Sequence, residues 1–299
     1  MPERERASMI AELTPPFLVH HPAEWTAPFV FCSPHSGRIY PTAFLETSRL
    51  DGHTLRRSED CYVDELFSDI PALGAPLIAA RFPRAYIDVN REPYELDPEL
   101  FTDPLPDFAN SNTMRVVGGL GTIARVVSDS EEIYDHQLPL ASAYERIDRL
   151  YVPFHKALAD LLDQARTRFG YAILVDCHSM PSASLTQPAA TRPDFILGDR
   201  FGTSCDTRLT RDLRDIIRAA GYHPQLNRPY AGGFITEHYG QPAKNNHAIQ
   251  IEINRGLYLH EATFRKSAGF AALRRDITSI SQQLIWSAVE RMEMRGAAE

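Results

Sequence analysis

Short apolar runs separated by turn residues dominate the chain. Apolar segments at 28–33, 76–81, 85–90, 172–176 and 248–254 have the length and β-branched content of strands. Val63, Leu66, Phe67 and Ile70 recur at helical spacing within 59–70, and Pro71 closes that segment. A longer helical pattern runs over 139–168 and stops at Gly170, with Pro153 expected to kink or split it. Helices follow at 204–220, ending at Gly221, and at 261–290. Strands alternating with helices predict an α/β protein with a mixed, mostly parallel central sheet flanked by helices. The expected organisation is an N-terminal arm over 1–25, carrying Pro15-Pro16, and one α/β domain over 26–299. The stretch 92–137 is irregular and rich in Pro, Gly, Asp and Asn, as expected of a loop that covers a site.

Composition narrows the function. The chain of 299 residues is 43% hydrophobic and 23% charged, ordinary for a globular protein with a large core. A net charge of −8, with scattered arginines, argues against nucleic acid as a partner. No apolar run reaches the length of a membrane span, and the mixed-charge start has no apolar signal core, so a cytoplasmic protein is expected. Cys32, Cys61, Cys177 and Cys205 are far apart and read as reduced thiols.

Two histidines stand at the ends of apolar strands: His35 in Phe-Cys-Ser-Pro-His-Ser-Gly and His178 in Val-Asp-Cys-His-Ser-Met. Ligands of open α/β sheets bind at the carboxyl ends of the strands, so both imidazoles are candidate metal ligands. Each is expected just past its strand, in a short polar turn. For a third, acidic ligand the nearest residues to His35 are Glu59, Asp60 and Asp64, with Asp60 expected to open a helix. Asp176 is a candidate partner for the His178 ring. In Ile249-Gln-Ile-Glu-Ile-Asn254, Gln250, Glu252 and Asn254 share one face. An edge strand facing solvent is one reading. On a face turned to a site, Glu252 has the character of a general base. Read as a strand, 85–90 puts Ile87 and Val89 on one face and Tyr86, Asp88 and Asn90 on the other, with Arg91 at its end. Arg91 can bind a carboxylate bidentately or polarise a carbonyl; a surface pairing with Glu92 or Glu95 is the alternative. His20, His21, His238 and His247 are weaker candidates. The glycine-rich stretch Gly118–Gly121 lacks the Lys-Ser/Thr of a phosphate loop, and there is no Gly-x-Ser-x-Gly elbow.

Six segments together resemble the N-formylglutamate amidohydrolase family. They are Ser-Pro-His-Ser-Gly at 33–37 with Tyr40-Pro41, Glu-Asp-Cys-Tyr-Val-Asp-Glu-Leu at 59–66, Arg-Ala-Tyr-Ile-Asp-Val-Asn-Arg at 84–91, Asp-Cys-His-Ser-Met at 176–180, Gly-Gly-Phe-Ile-Thr at 232–236 and Ile-Gln-Ile-Glu-Ile-Asn-Arg at 249–255. The resemblance implies distant kinship to the zinc carboxypeptidases and a phosphorylase/hydrolase-like α/β fold. It implies one Zn2+ per chain, held by His35, His178 and a carboxylate. The peptidase motif His-x-x-Glu is broken here by Arg38, so Asp60 is the third ligand the resemblance favours. It further implies Glu252 as general base and Asn90-Arg91 as the pair holding a substrate carboxylate. Arg84, Arg125 and Arg255 are then candidates for a second carboxylate. The implied reaction is zinc-dependent hydrolysis of an N-acyl amino acid, foremost N-formyl-L-glutamate, as in histidine degradation. The stretch 92–137 differs from what the histidine-degradation enzyme leads one to expect, which leaves the acyl group and amino acid open. The rival readings are a related amidohydrolase or carboxypeptidase with another substrate, and a non-catalytic binding protein on a degenerate hydrolase scaffold. Oligomeric state is left open.

Overall fold

A computed structural model of the chain describes residues 11–127, 131–185 and 192–296. The first ten residues of the expected arm, and 128–130 of the irregular stretch, lie outside the described residues. Seven strands form the main sheet: β1 (Phe17–His20), β2 (Phe29–Ser33), β3 (Leu77–Ala80), β4 (Ala172–Met180), β5 (Phe195–Gly198), β6 (Pro224–Leu226) and β7 (Asn246–Asn254), in the order β1-β3-β2-β4-β7-β5-β6. The α/β architecture with a mixed, mostly parallel sheet is therefore as the periodicity predicted. Within the arm, Phe17–His20 is the strand at one edge of that sheet.

The chain divides into two compact units. The first comprises Met1–Leu18, Pro34–Cys61 and Ala79–Leu158; the second comprises Val19–Ser33, Tyr62–Ile78 and Ala159–Glu299.

The second unit contains the long central strands. β2 and β7 both run parallel to β4, with Cys32 opposite Asp176 and His178 opposite Glu252. β5 runs antiparallel to β7 and parallel to β6. All nine residues of β4 are buried, as befits a central strand covered on both faces. His178 thus lies inside the strand rather than in a turn beyond it, because strand pairing with β7 continues to Met180. β7 sits between β4 and β5, so the edge-strand reading of 249–254 is overturned. Gln250, Glu252 and Asn254 are all buried. Thr207–Ala219 forms a helix capped by Asp206, and Gly221, at φ 91°, ends the segment as expected. The last helix spans Phe270–Gly296, beginning nine residues later than predicted because 261–269 is taken up by turns and a short ladder.

The first unit is mostly irregular backbone braced by one helix. Residues 85–90, expected as a strand, form a buried turn that starts at Pro83, whose carbonyl accepts from the N–H groups of Tyr86 (2.9 Å) and Ile87 (3.3 Å). Both sets of the supposed alternation are buried, which removes the two-faced reading. The predicted helix 139–168 is Leu140–Arg146, one π-helical turn over Ile147–Tyr151, and Val152–Phe169. The π turn lies just ahead of Pro153, which cannot donate to the regular ladder. One consequence is visible in the turn. Arg146 Nη1 donates to Tyr86 O (3.0 Å), Tyr151 Oη donates to Arg91 O (2.7 Å), and His155 Nε2 meets Val89 O (2.8 Å). Three carbonyls of a segment without strand or helix bonding are thereby satisfied by one helix. The Arg146 guanidinium also lies 4.0 Å over the Tyr86 ring. The 92–137 stretch is irregular as read, with a helical turn at Met114–Val117 and a two-residue ladder between 126–127 and 131–132.

Candidate metal centre

His35 is buried and clamped from its own unit. Its Nε2 bonds Asp88 Oδ1 at 2.7 Å, and its Nδ1 lies 3.4 Å from Asp60 Oδ2. The glycine of the Ser-Pro-His-Ser-Gly motif is required by packing: a Cβ on Gly37 would stand 2.0 Å from the Phe82 carbonyl oxygen. Asp60 does not open a helix. It sits in the turn before Tyr62, whose φ of 62° leads into the short helix Val63–Leu66, and its N–H donates to His35 O (3.0 Å). Pro71 lies inside the 3-10 turn Ile70–Leu73, and Gly74, at φ 85°, ends it.

The structure separates Asp60 from its acidic neighbours. Glu59, fully buried, accepts from Tyr40 Oη (2.7 Å), Arg56 Nε (3.1 Å) and Cys61 Sγ (3.2 Å), so its carboxylate is already ligated by protein donors. Asp64 lies in the first turn of the helix Val63–Leu66, outside the buried group described below.

Asp88 was not given a role from the sequence, yet its carboxylate has four partners. Its oxygens meet His35 Nε2, the Asn90 N–H (2.8 Å), Arg84 Nε (2.9 Å) and Arg91 Nη2 (3.6 Å). Burial alone would raise its pKa, but Arg84, Arg91 and His35 outweigh burial and hold the carboxyl well below the usual range. Arg91 is buried too. Its Nε donates to Leu120 O (2.9 Å) and its Nη1 to Asn90 O (2.9 Å). Burial pulls its pKa down to about 10, against the opposing pull of Asp88. The guanidinium therefore stays charged at neutral pH.

In the second unit, His178 Nε2 lies 2.9 Å from Asp176 Oδ1, and Thr236 Oγ1 donates to Asp176 Oδ2 (3.1 Å). Two residues along β7, Gln250 Nε2 donates to Glu252 Oε1 (2.9 Å). The Gly233 N–H donates to Gln250 Oε1 (2.8 Å), which fixes the amide with its NH2 toward Glu252. Gly232 adopts φ 116°, and a Cβ there would meet the Thr236 side chain at 2.9 Å, so this glycine is dictated by geometry. Arg255 is buried and donates Nε to Ser179 Oγ (3.1 Å). Arg125, half-buried, is matched to three carboxylates, Asp97 (2.7 Å), Glu99 (3.2 Å) and Glu132 (3.5 Å).

His35, Asp60 and His178 are all buried, and each offers one ligand atom, the three lying within 4.8 Å of one another. Two imidazoles and a carboxylate are the donor set with which hydrolytic sites hold zinc while leaving a position open. The rings suit the role. Asp88, hydrogen-bonded at Nε2 of His35, leaves Nδ1 of that ring as the metal-facing nitrogen, the arrangement that orients metal-binding imidazoles, and Asp176 lies 2.9 Å from Nε2 of His178. The group fits a metal ion, and the class that the fold and the residues suit is that of the α/β hydrolases.

Comparison with known proteins makes the assignment specific. The model of the family described as N-formylglutamate amidohydrolase matches residues 27–259. The N-formylglutamate deformylase of Pseudomonas putida is 32% identical over 237 residues, covering 78% of this chain and 82% of the relative. That of Pseudomonas aeruginosa is 31% identical over 256 residues, covering 84% and 89%. The crystal structure of N-formylglutamate amidohydrolase from Ralstonia eutropha JMP134 superposes with a TM-score of 0.86 at 35% identity, over 92% of this chain and 99% of that one. A gene product from Agrobacterium tumefaciens, 17% identical, shares the fold at a TM-score of 0.68. The chain belongs to the N-formylglutamate amidohydrolase family and is a hydrolase of that family, as the six ordered motifs implied. Among the described residues, no helix is long and apolar enough to cross a membrane.

Proposed function

We propose that the protein hydrolyses the amide bond of N-formyl-L-glutamate to formate and L-glutamate, with one zinc ion held by His35, Asp60 and His178. The observation that carries this reading is the buried group of those three residues in a chain of this family. When bound, zinc supplies Lewis acidity and lowers the pKa of a water toward ~7. Glu252 takes a proton from the attacking water and returns it to the amine nitrogen as the C–N bond breaks. Its carboxylate is steadied for this by the Gln250 amide. Arg91, with Asn90 beside it, holds the substrate α-carboxylate through the charge-assisted pairing for which a guanidinium is suited. Of the cations considered for the second carboxylate, Arg84 is engaged by Asp88, Arg125 by three carboxylates and Arg255 by Ser179.

The test is product analysis with purified, zinc-loaded protein on N-formyl-L-glutamate beside N-acetyl-L-glutamate, N-succinyl-L-glutamate and dipeptides. Release of formate and glutamate with the highest kcat/KM for the formyl substrate is expected. Turnover of another member of the panel with none of N-formyl-L-glutamate would overturn the assignment.

A further inference from the structure

The proposed substrate carries two carboxylates, and the arginines considered so far leave its second one unassigned. Arg115 lies on the helical turn Met114–Val117 and is half-buried, while Met114 and Val117 on either side of Val116 are exposed. The turn is fastened to the segment that follows Arg91. Thr113 caps it through Val116 N (3.1 Å) and donates its own hydroxyl to Glu95 Oε1 (2.5 Å). The Leu120 N–H closes back onto the Arg115 carbonyl (2.8 Å), and the Leu120 carbonyl accepts from Arg91 Nε (2.9 Å). Arg115 and Arg91 are thus joined through a single residue.

Among the described residues, Arg115 makes no ion pair. The acids of this region are committed elsewhere: Glu95 to Thr113, Glu92 to Asn110 Nδ2 (2.9 Å), and Asp88 to His35, Arg84 and Arg91. Arg115 is close enough to Arg91 to oppose its charge, adding to the effect of burial on that group. Asp88 already answers the charge of Arg91, whereas Arg115 has no carboxylate partner among the described residues. A ligand whose first carboxylate is held by Arg91 and which carries a second one supplies the anion that Arg115 lacks.

We infer that Arg115 is a specificity-determining residue, receiving the side-chain carboxylate of the N-acyl amino acid whose α-carboxylate is held by Arg91. The inference rests on the proposed reading of the reaction and narrows its substrate class to N-acyl dicarboxylic amino acids. A neutral side chain of the same shape, such as that of glutamine, forgoes the charge-assisted contact.

The test measures kcat/KM for N-formyl-L-glutamate and N-formyl-L-glutamine with zinc-loaded wild type, Arg115→Ala and Arg115→Lys. Wild type is expected to prefer the glutamate substrate. Arg115→Ala should shrink that preference by roughly tenfold to a hundredfold, and Arg115→Lys should keep part of it. A preference ratio in Arg115→Ala equal to that of wild type overturns the inference, including the case where both substrates fall together, which marks a structural role. Wild type without a preference overturns it as well. A wild type inactive on both formyl substrates counts instead against the reading of the reaction.

Discussion

The turn Arg84–Arg91 and the strand Asn246–Asn254 alternate apolar and polar residues in much the same way, yet they reach burial by different means. The strand buries Gln250, Glu252 and Asn254 with its backbone paired on both sides, and its polar side chains are satisfied by an amide chain from Gly233 through Gln250 to Glu252. The turn has no ladder. It borrows carbonyl partners from Arg146, Tyr151 and His155, and balances its charges around Asp88. Alternation alone does not distinguish the two. What they share is polar side chains buried at the cost of dedicated partners, which is how groups are held ready for chemistry.

If the strand presents a general base, Glu252→Gln should lower kcat by about 10²–10⁴-fold with zinc content unchanged. A loss within tenfold would leave the strand a purely structural element. If the turn anchors substrate, Arg91→Ala should lower kcat/KM for N-formyl-L-glutamate by about 10²-fold, chiefly through KM. The same anchor should weaken in alkali. With its pKa drawn down to about 10, Arg91 loses charge above that pH, so KM should climb there in wild type.

Smaller effects sharpen the contrast between charge balance and amide chain. Asp88→Asn removes the carboxylate from His35 Nε2, and zinc affinity should fall by about 10–100-fold, read by competition with a chelating dye. Asp88 also has a sign in stability. Its folded pKa lies below the unfolded value near ~4, so it stabilises the fold above that pH, and the contribution is lost as pH falls through the folded pKa. Acid titration of Asp88→Asn should lack that component. Gln250→Met orphans the Gly233 N–H and frees Glu252; a stability loss of about 1–3 kcal/mol is expected by denaturant unfolding.

How much of this the sequence discloses follows the same division. Apolar runs read correctly as β2, β3, β4 and β7, because hydrophobic runs bounded by turn residues report burial directly. The two histidines stood out by their strand-end positions, whereas Asp60 was preferred to Glu59 and Asp64 only through the ordered motifs, since no spacing rule links it to His35 or His178. The Arg84–Arg91 turn was not legible, because its hydrogen bonds go to a helix some sixty residues later. Pro83, a common turn residue, opens the turn that replaces the strand. Arg115 was overlooked for the same reason: nothing in its neighbours shows that Leu120 ties it to Arg91. The placement of β7 in the sheet interior also escaped the pattern, because alternating polar residues read as an exposed face until their buried partners are seen.

The measurement that bears most directly on the account is deformylation of N-formyl-L-glutamate by the purified chain before and after removal of metal with a chelator. The account predicts activity in the loaded protein, its loss on chelation, and its return on adding one equivalent of zinc, with Asp60→Ala failing to recover. Activity that survives complete removal of metal, or full recovery by Asp60→Ala at one equivalent, would contradict it.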